Sequence, residues 1–195
     1  VHLREDRRHI KDKDLFELQK NSKIPINLEM ALTEEMLKIA SKINPKFICI
    51  VPEKRNEITT EGGLNLNKIS QAKLKKLLKI CRKKNIQLSA FINPTKKMIN
   101  LAKNLGFDTV ELHTGNLDKK IIRKSTINQI NEMIEYAHFR KLIVNIGHGL
   151  NFKNINFIKK RKYVDTVHVG HFIISEAIFI SLIKTIRTFR NLIKK

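Results

Sequence analysis

Seven short apolar segments, each ending in polar side chains and followed by a helical pattern, constrain the fold most strongly. Nearly continuous runs of Val, Ile and Leu are typical of parallel strands that are buried on both faces. Polar groups at the carboxyl ends of such strands are typical of active sites in open α/β sheets and (β/α)8 barrels. The segments end at residues 1–4, 26–29, 48–53, 90–93, 110–113, 144–148 and 167–171. The pattern therefore predicts a fold and the position of its functional site together.

The stretches between these segments carry helix signals. Thr33 precedes the acidic residues Glu34 and Glu35, which is the pattern of an N-cap followed by a first turn that complements the helix dipole. Strands that alternate with helices predict parallel βαβ units with right-handed crossovers. Seven such units exceed the strand number of most open sheets, and no glycine-rich phosphate turn follows Leu3. We therefore expect residues 1–195 to form one TIM (β/α)8 barrel domain in which one βα unit is missing.

Charged and imidazole side chains are concentrated at the predicted strand ends. Residues two apart on a strand share a face, so His2 lies on the same face as Arg4, and Glu111 on the same face as His113. Charged groups are rarely buried unless they are paired or functional. Five of the seven histidines lie at or just beyond strand ends: His2, His113, His148, His168 and His171. As a set they favour an active site over a structural role, although any one of them could be a core histidine.

Three glycine-containing loops indicate phosphate binding. Thr59 and Thr60 precede Glu61, Gly62 and Gly63, a sequence that offers two hydroxyls and a backbone able to approach an oxyanion closely. The sequences Gly-His-Gly at 147–149 and Gly-His at 170–171 follow the last two predicted strands. Barrels commonly bind phosphate with the loops after strands seven and eight. Lys and Arg are frequent in the same loops, so we expect an anionic substrate and no bound metal.

The net charge of +21 leaves a second class of function open, a basic nucleic-acid-binding domain in which the histidines and carboxylates are structural. Two tyrosines and no tryptophan provide little stacking surface for single strands. The lysines lie on predicted helix faces, so we favour a solvated surface without nucleic acid as a partner. No apolar run is long enough for a membrane span. Cys49 and Cys81 are expected to be buried thiols in a reducing cytoplasm.

The residues of these motifs and their order along the chain resemble those of one family. The decapeptide at 1–10 (VHLREDRRHI), the block at 27–31 (NLEMA), and the block at 59–64 (TTEGGL) are its most distinctive parts, with ELHTG at 111–115 and NIGHGL at 145–150. The chain resembles the pyridoxine 5′-phosphate synthases of deoxyxylulose phosphate-dependent vitamin B6 biosynthesis over essentially its whole length.

The resemblance implies a ring-forming condensation. The family joins 3-amino-2-oxopropyl phosphate to 1-deoxy-D-xylulose 5-phosphate and gives pyridoxine 5′-phosphate, inorganic phosphate and water. Several proton transfers occur, so more than one acid–base group is needed. The resemblance further implies a cytoplasmic homo-octamer that uses no cofactor. Two phosphorylated substrates fit the basic and glycine-containing loops described above.

The resemblance also assigns roles to individual residues. His2 and Glu29 match the family's general bases, His148 matches its general acid, and Glu111 matches a carboxylate that stabilises a transition state. The remaining matches bind the two phosphates. They are Arg4, His9 and Thr59 for deoxyxylulose phosphate, and Gly149, Gly170 and His171 for the aminoketone phosphate.

The chain departs from the family pattern at its start and near its end. The first strand and helix of the family, with an Asn, an Asp-His pair and an Arg that complete the substrate sites, have no counterpart here. We expect a truncated sequence. Were these 195 residues the whole polypeptide, unpaired strand edges around Val1 and Val167 would predict poor folding and an inactive remnant. His168 replaces a usual Asn, a change expected to affect packing more than chemistry.

Overall fold

The computed structural model describes residues 1–53, 62–158 and 160–194, in which strands and helices alternate. The strands are β1 (Asn27–Met30), β2 (Phe47–Ile50), β3 (Gln87–Ile92), β4 (Thr109–His113), β5 (Ile143–Gly147) and β6 (Thr166–His168). The helices are α1 (Asp12–Asn21), α2 (Glu34–Ile43), α3 (Gln71–Lys84), α4 (Lys96–Asn104), α5 (Lys124–Phe139), α6 (His171–Ile180) and α7 (Leu182–Ile193). Short 3₁₀ turns occupy Leu66–Lys68, Gly115–Asp118, Asn154–Phe157 and Arg161–Tyr163.

In the described part of the chain, six parallel strands form one sheet in which each strand pairs with the next in sequence. The first of the seven predicted strands is reduced to a bridge, because His2 pairs in parallel with Glu29 on β1. The backbone N–H of Glu29 donates to the carbonyl of Val1 at 2.8 Å, and the amino group of Val1 donates to the carbonyl of Asn27 at 2.8 Å. The segment at 1–4 therefore extends the sheet beyond β1.

The sheet is strongly curled. Neighbouring strands lie about 4.8 Å apart, so a flat sheet would place β1 and β6 roughly 24 Å from each other. Instead, side-chain atoms of Glu29 on β1, Glu111 on β4 and His168 on β6 lie within 4.8 Å of one another. This curl, in which side chains from β1, β4 and β6 meet, confirms the predicted barrel architecture. Among the described strands, β6 pairs with β5 alone, so the edge predicted to be open around Val167 is open here.

The apolar core lies between the outer face of the curled sheet and the helices. Leu28, Ile48, Leu88, Val110 and Leu112 point outward from successive strands and are fully buried. Helices α2 and α3 each bury one stripe against this face, because their apolar residues recur at three- and four-residue spacing. Cys49 and Cys81 are buried free thiols, as expected from the sequence.

The predicted start of α2 agrees with the structure, whereas the helical pattern near the carboxyl end folds differently. The Thr33 hydroxyl accepts a hydrogen bond from the N–H of Met36 at 3.3 Å, so it is the predicted N-cap. The sequence from Ser175 to about Asn191, apolar at first and basic at its end, predicts a single helix. The structure has instead α6 and α7, which are separated at Ser181, where φ is +74°. This left-handed backbone ends α6, and the Ser181 side chain then caps α7.

Helix α6 is apolar and little covered. None of its residues is buried, and the side chains of Ile178 and Phe179 are 80% and 81% exposed. Exposed apolar groups continue on α7 at Leu182 and Ile183. In the described residues, no helix combines the length and apolar character that a membrane crossing requires.

Removing a large side chain from the outer face of the sheet should lower stability. Leu112 lies on the central strand β4 and is fully buried, so Leu112→Ala leaves a cavity that costs about 2–5 kcal/mol. Urea denaturation followed by circular dichroism measures the free energy of unfolding. Lys75→Ala on the exposed face of α3 is the control and should change it by less than about 0.5 kcal/mol. Equal effects of the two variants would contradict the assignment of this core.

Candidate active site

A cleft of about 1280 Å³ opens inside the curl of the sheet. Eight of the sequence-predicted site residues line it: His2, Arg4, His9, Glu29, His148, Gly149, Gly170 and His171. Glu111 lies beneath its surface with 1% of its area exposed. The prediction for Thr59 falls outside the described residues. The structure therefore brings together, in and under one cleft, all the predicted site residues that it describes.

One side of the cleft is built by the first four residues and the ends of β1 and β2. The Nδ1 atom of His2 lies 3.8 Å from Oε2 of Glu29, and its Nε2 atom lies 3.9 Å from Oε2 of Glu53. The Arg4 guanidinium is 3% exposed and lies 3.9 Å from the other carboxylate oxygen of Glu53. That oxygen also accepts the backbone N–H of Glu5 at 2.6 Å. The parallel bridge between His2 and Glu29 fixes this arrangement, because it sets both side chains at the same height in the barrel.

Burial controls the charge of these groups. Burial, together with the positive charge of Arg4, lowers the pKa of His2 to about 4. Burial and the negative charge of Glu111 raise the pKa of Glu29. Burial also raises the pKa of Glu53, against the opposing hydrogen bond from Glu5. His2 is therefore a neutral imidazole at pH 7, able to accept a proton.

The floor of the cleft contains a buried pair of opposite charges. The Nδ1 atom of His168 lies 2.5 Å from Oε2 of Glu111. The Cys49 thiol donates to the same oxygen at 3.6 Å. Gly147 on β5 separates the two partners, and a Cβ there would collide with Oε1 of Glu111. A residue without a side chain is thus required between them. Burial alone would lower the pKa of His168, but the hydrogen bond and charge of Glu111 outweigh burial and raise it.

His148 lies in a tight turn directly after β5. Its φ is +69° and that of Gly149 is +66°, so two successive residues adopt the left-handed conformation. The Thr114 hydroxyl lies 2.7 Å from the carbonyl oxygens of both Gly147 and His148 and can donate to either. A Cβ on Gly149 would approach Cα of Gly115 to 2.7 Å. Contacts with the neighbouring backbone therefore hold the His148 imidazole at the cleft. The His148 backbone has a conformation that residues with a side chain rarely adopt.

An aromatic cluster surrounds His148. Its ring centroid lies 4.4 Å from that of Phe91 and 5.9 Å from that of His113. Burial, with a contribution from the neighbouring His148, lowers the pKa of His113 to about 4. Burial also lowers the pKa of His148. Both imidazoles are therefore uncharged at neutral pH, and Phe91 keeps water from one side of them.

Another part of the cleft lining contains the amino end of a helix. Gly170 and His171 border the cleft where α6 begins, and Gly149 lies on the same lining. The first N–H groups of a helix have no partners within it, and the helix dipole favours an anion there. The arrangement is suited to a phosphate group, which agrees with the glycine loops predicted from the sequence.

The carboxylates and imidazole of Glu29, Glu111 and His168 are also a candidate metal-ligating group. Two ligands of one zinc ion lie roughly 3.3 Å apart when each bond is about 2.0 Å long. The 2.5 Å separation of His168 Nδ1 and Glu111 Oε2 is shorter and is a hydrogen-bond distance. His168 and Glu111 are therefore paired with each other, and the Glu29 carboxylate lies within 4.8 Å of the pair.

Sequence reasoning missed one member of the site and gave another no individual role. His168 belongs to the set of histidines that favours an active site, but its replacement of a usual Asn was expected to affect packing more than chemistry; its ring nitrogen in fact contacts the buried Glu111 carboxylate. Glu53 was not chosen, although it contacts both His2 and Arg4. The available signal was that each residue lies at or just beyond the end of a predicted strand, as the selected residues do.

A curled parallel sheet with acid–base groups and the amino end of a helix at one cleft is typical of a barrel-type enzyme. Comparison with known proteins specifies the family. The family model described as pyridoxal phosphate biosynthesis protein PdxJ matches residues 1–195, and the chain belongs to this family.

Relatives named pyridoxine 5′-phosphate synthase cover nearly the whole chain. The protein of Prochlorococcus marinus strain MIT 9215 is 45% identical over 99% of this chain and 82% of its own length. The protein of Pelagibacter ubique strain HTCC1062 is 44% identical over 100% of this chain and 83% of its own length.

Solved structures support the fold. A mutant tryptophan synthase α-subunit of Pyrococcus furiosus matches with a TM-score of 0.57 at 14% identity, over 93% of this chain and 70% of that one. A 3-hexulose-6-phosphate synthase matches with a TM-score of 0.58 at 12% identity, over 86% of this chain and 73% of that one. At these identities the likeness concerns the fold alone.

The ionisation of the buried imidazoles can be measured directly. In an NMR titration of imidazole ¹⁵N shifts, His2 and His113 should titrate near pH 4, because burial opposes their protonation. In urea-denatured chain, the same residues should titrate near the unperturbed value of about 6.5. A native midpoint above 6 for either residue would contradict the buried, neutral state described here.

Proposed function

We propose that this chain condenses 3-amino-2-oxopropyl phosphate with 1-deoxy-D-xylulose 5-phosphate to give pyridoxine 5′-phosphate, phosphate and water. The observation that supports this most is the convergence of His2, Glu29 and His148 on one cleft that also contains Arg4 and the amino end of α6. Membership of the PdxJ family and the names of the relatives point to the same reaction.

The proposed proton transfers follow from the charge states of the cleft. Imine formation between the amine and the ketone releases water, and ring closure needs a proton removed from carbon. In this proposal, neutral His2 and ionised Glu29 act as general bases. His148 is uncharged at neutral pH, so it takes up a proton during the cycle before it donates one to a leaving group. Glu111 stabilises positive charge that develops nearby.

We propose separate places for the two phosphates. Arg4 and His9 line the side built by the amino-terminal segment, where the deoxyxylulose phosphate would bind together with Thr59. The aminoketone phosphate would bind at Gly149, Gly170 and His171, where the amino end of α6 favours an anion. With the phosphates at separate places, the reacting carbonyl and amine would meet between them. A cytoplasmic location and assembly into a homo-octamer remain predictions from the family resemblance.

Removing either the base or the acid should abolish turnover while the protein stays folded. Glu29→Gln and His148→Ala should each lower the rate of phosphate release by about 10²–10⁴-fold, because each removes a proton-transfer group. Phosphate release is measured with both substrates present and with each one omitted. Circular dichroism and the unfolding midpoint check that the variants are folded.

Matched controls lie on the outer helix α5. Glu132→Gln and His138→Ala change the same residue types at exposed positions and should leave the rate unchanged. Near-full rate in Glu29→Gln or His148→Ala would refute the assigned role. Steep salt-dependent binding of nucleic acid, together with no binding of either substrate in calorimetry, would favour the nucleic-acid alternative. Binding of both substrates without turnover would indicate an inactive remnant of the synthase.

A further inference from the structure

The buried pair of Glu111 and His168 joins two strands that are not neighbours. Glu111 lies on β4 and His168 on β6, and β5 runs between them. Their contact passes over Gly147, where a Cβ would collide with the Glu111 carboxylate and lie 3.2 Å from Cβ of His168. The Glu111 side chain is 1% exposed, and that of His168 is 20% exposed and lines the cleft. His168 is therefore the member of the pair that solvent and substrate can reach.

The pair is close to the carboxylate proposed as a general base. Side-chain atoms of Glu29, Glu111 and His168 lie within 4.8 Å of one another. Two carboxylates at such a distance repel, and the repulsion favours protonation of one of them. The charge of Glu111 acts on Glu29 in this direction, whereas the charge of His168 acts in the opposite direction.

We propose that His168 is a positioning residue of the synthase reaction: as an imidazolium, it orients the Glu111 carboxylate and balances its charge, so that Glu29 can be ionised beside it. The inference rests on the proposed function, from which the role of Glu29 as a base is taken. A neutral hydrogen-bond donor in place of His168 would orient Glu111 but would not balance its charge.

Ionisable groups on the segments around Glu29, Glu111 and His168 also face this cluster. His2 approaches Glu29 from the amino-terminal segment, and Cys49 on β2 contacts Glu111. The amino group of Val1 and the imidazole of His148 also act on the cluster electrostatically. Of these, His2 and His148 are held uncharged by burial, and burial raises the pKa of the Cys49 thiol. His168 is thus the imidazole of this cluster whose charged form the surroundings favour.

The proposal is tested by separating the hydrogen bond of His168 from its charge. His168→Asn keeps a donor without a charge, and His168→Phe removes both. In His168→Asn, the pKa of Glu29 should rise, because an interaction that lowers it is lost. The acidic limb of the pH profile of kcat/KM should therefore move to higher pH by about one unit, with roughly tenfold lower kcat/KM on the acidic side. KM should change little, and the rate should recover at high pH.

His168→Phe should lose kcat at every pH, because Glu111 is no longer oriented. His138→Asn, on the exposed face of α5, is the matched control and should leave the profile unchanged. An unshifted acidic limb in His168→Asn would overturn the proposal. So would equal losses in the Asn and Phe variants at all pH values, because the hydrogen bond that Asn retains would then have no effect of its own.

A second measurement is independent of turnover. In imidazole ¹⁵N NMR, His168 should titrate above the unperturbed value of about 6.5, and its midpoint should fall in Glu111→Gln. A midpoint below 6.5 in the unmodified chain would overturn the inference even if the enzyme is active. Absence of turnover in the unmodified chain, with the expected His168 titration, would instead count against the proposed function and leave the charged pair established.

Discussion

A carboxylate enclosed in the barrel is the constraint around which the rest of the site is arranged. Glu111 is 1% exposed, and removing an ionised group from water is costly unless a partner of opposite charge replaces the lost hydration. His168 supplies that partner, and Gly147 supplies the space through which the two side chains meet. The charge of Glu111 then acts on Glu29 and opposes its ionisation. The charge states on the floor of the cleft therefore depend on one buried group.

The curl of the sheet makes this arrangement possible. Register alone pairs Glu29 with Cys49, and Glu111 with Phe91 and Asn145, so strand pairing does not bring the two carboxylates together. They meet because the parallel sheet bends on itself and directs alternate side chains into one interior. Packing of the helices against the outer face maintains that bend through residues such as Leu28 and Leu112. The same burial that stabilises the fold also lowers the pKa of His2 and His113.

Backbone conformation contributes as much to the site as side-chain chemistry does. The turn that presents His148 needs two consecutive left-handed residues and close contact between Gly149 and Gly115. The carbonyl oxygens of this turn lie within hydrogen-bond reach of Thr114, from the loop after β4. Loops after successive strands thus support one another and hold the His148 imidazole in place just beyond the end of β5.

The sequence alone determined the alternation of strands and helices and the end of the sheet at which ionisable side chains gather. It could do so because buried parallel strands need continuous apolar runs, and because polar residues at the ends of such runs have few structural explanations. The tertiary structure decided which of these residues interact. Three features depend on contacts or backbone angles that no local pattern encodes. His168 pairs with Glu111, Glu53 contacts both His2 and Arg4, and the helix expected near the carboxyl end is divided at Ser181. Their physical origin is the curl of the sheet, which places residues distant in sequence within a few ångströms of each other.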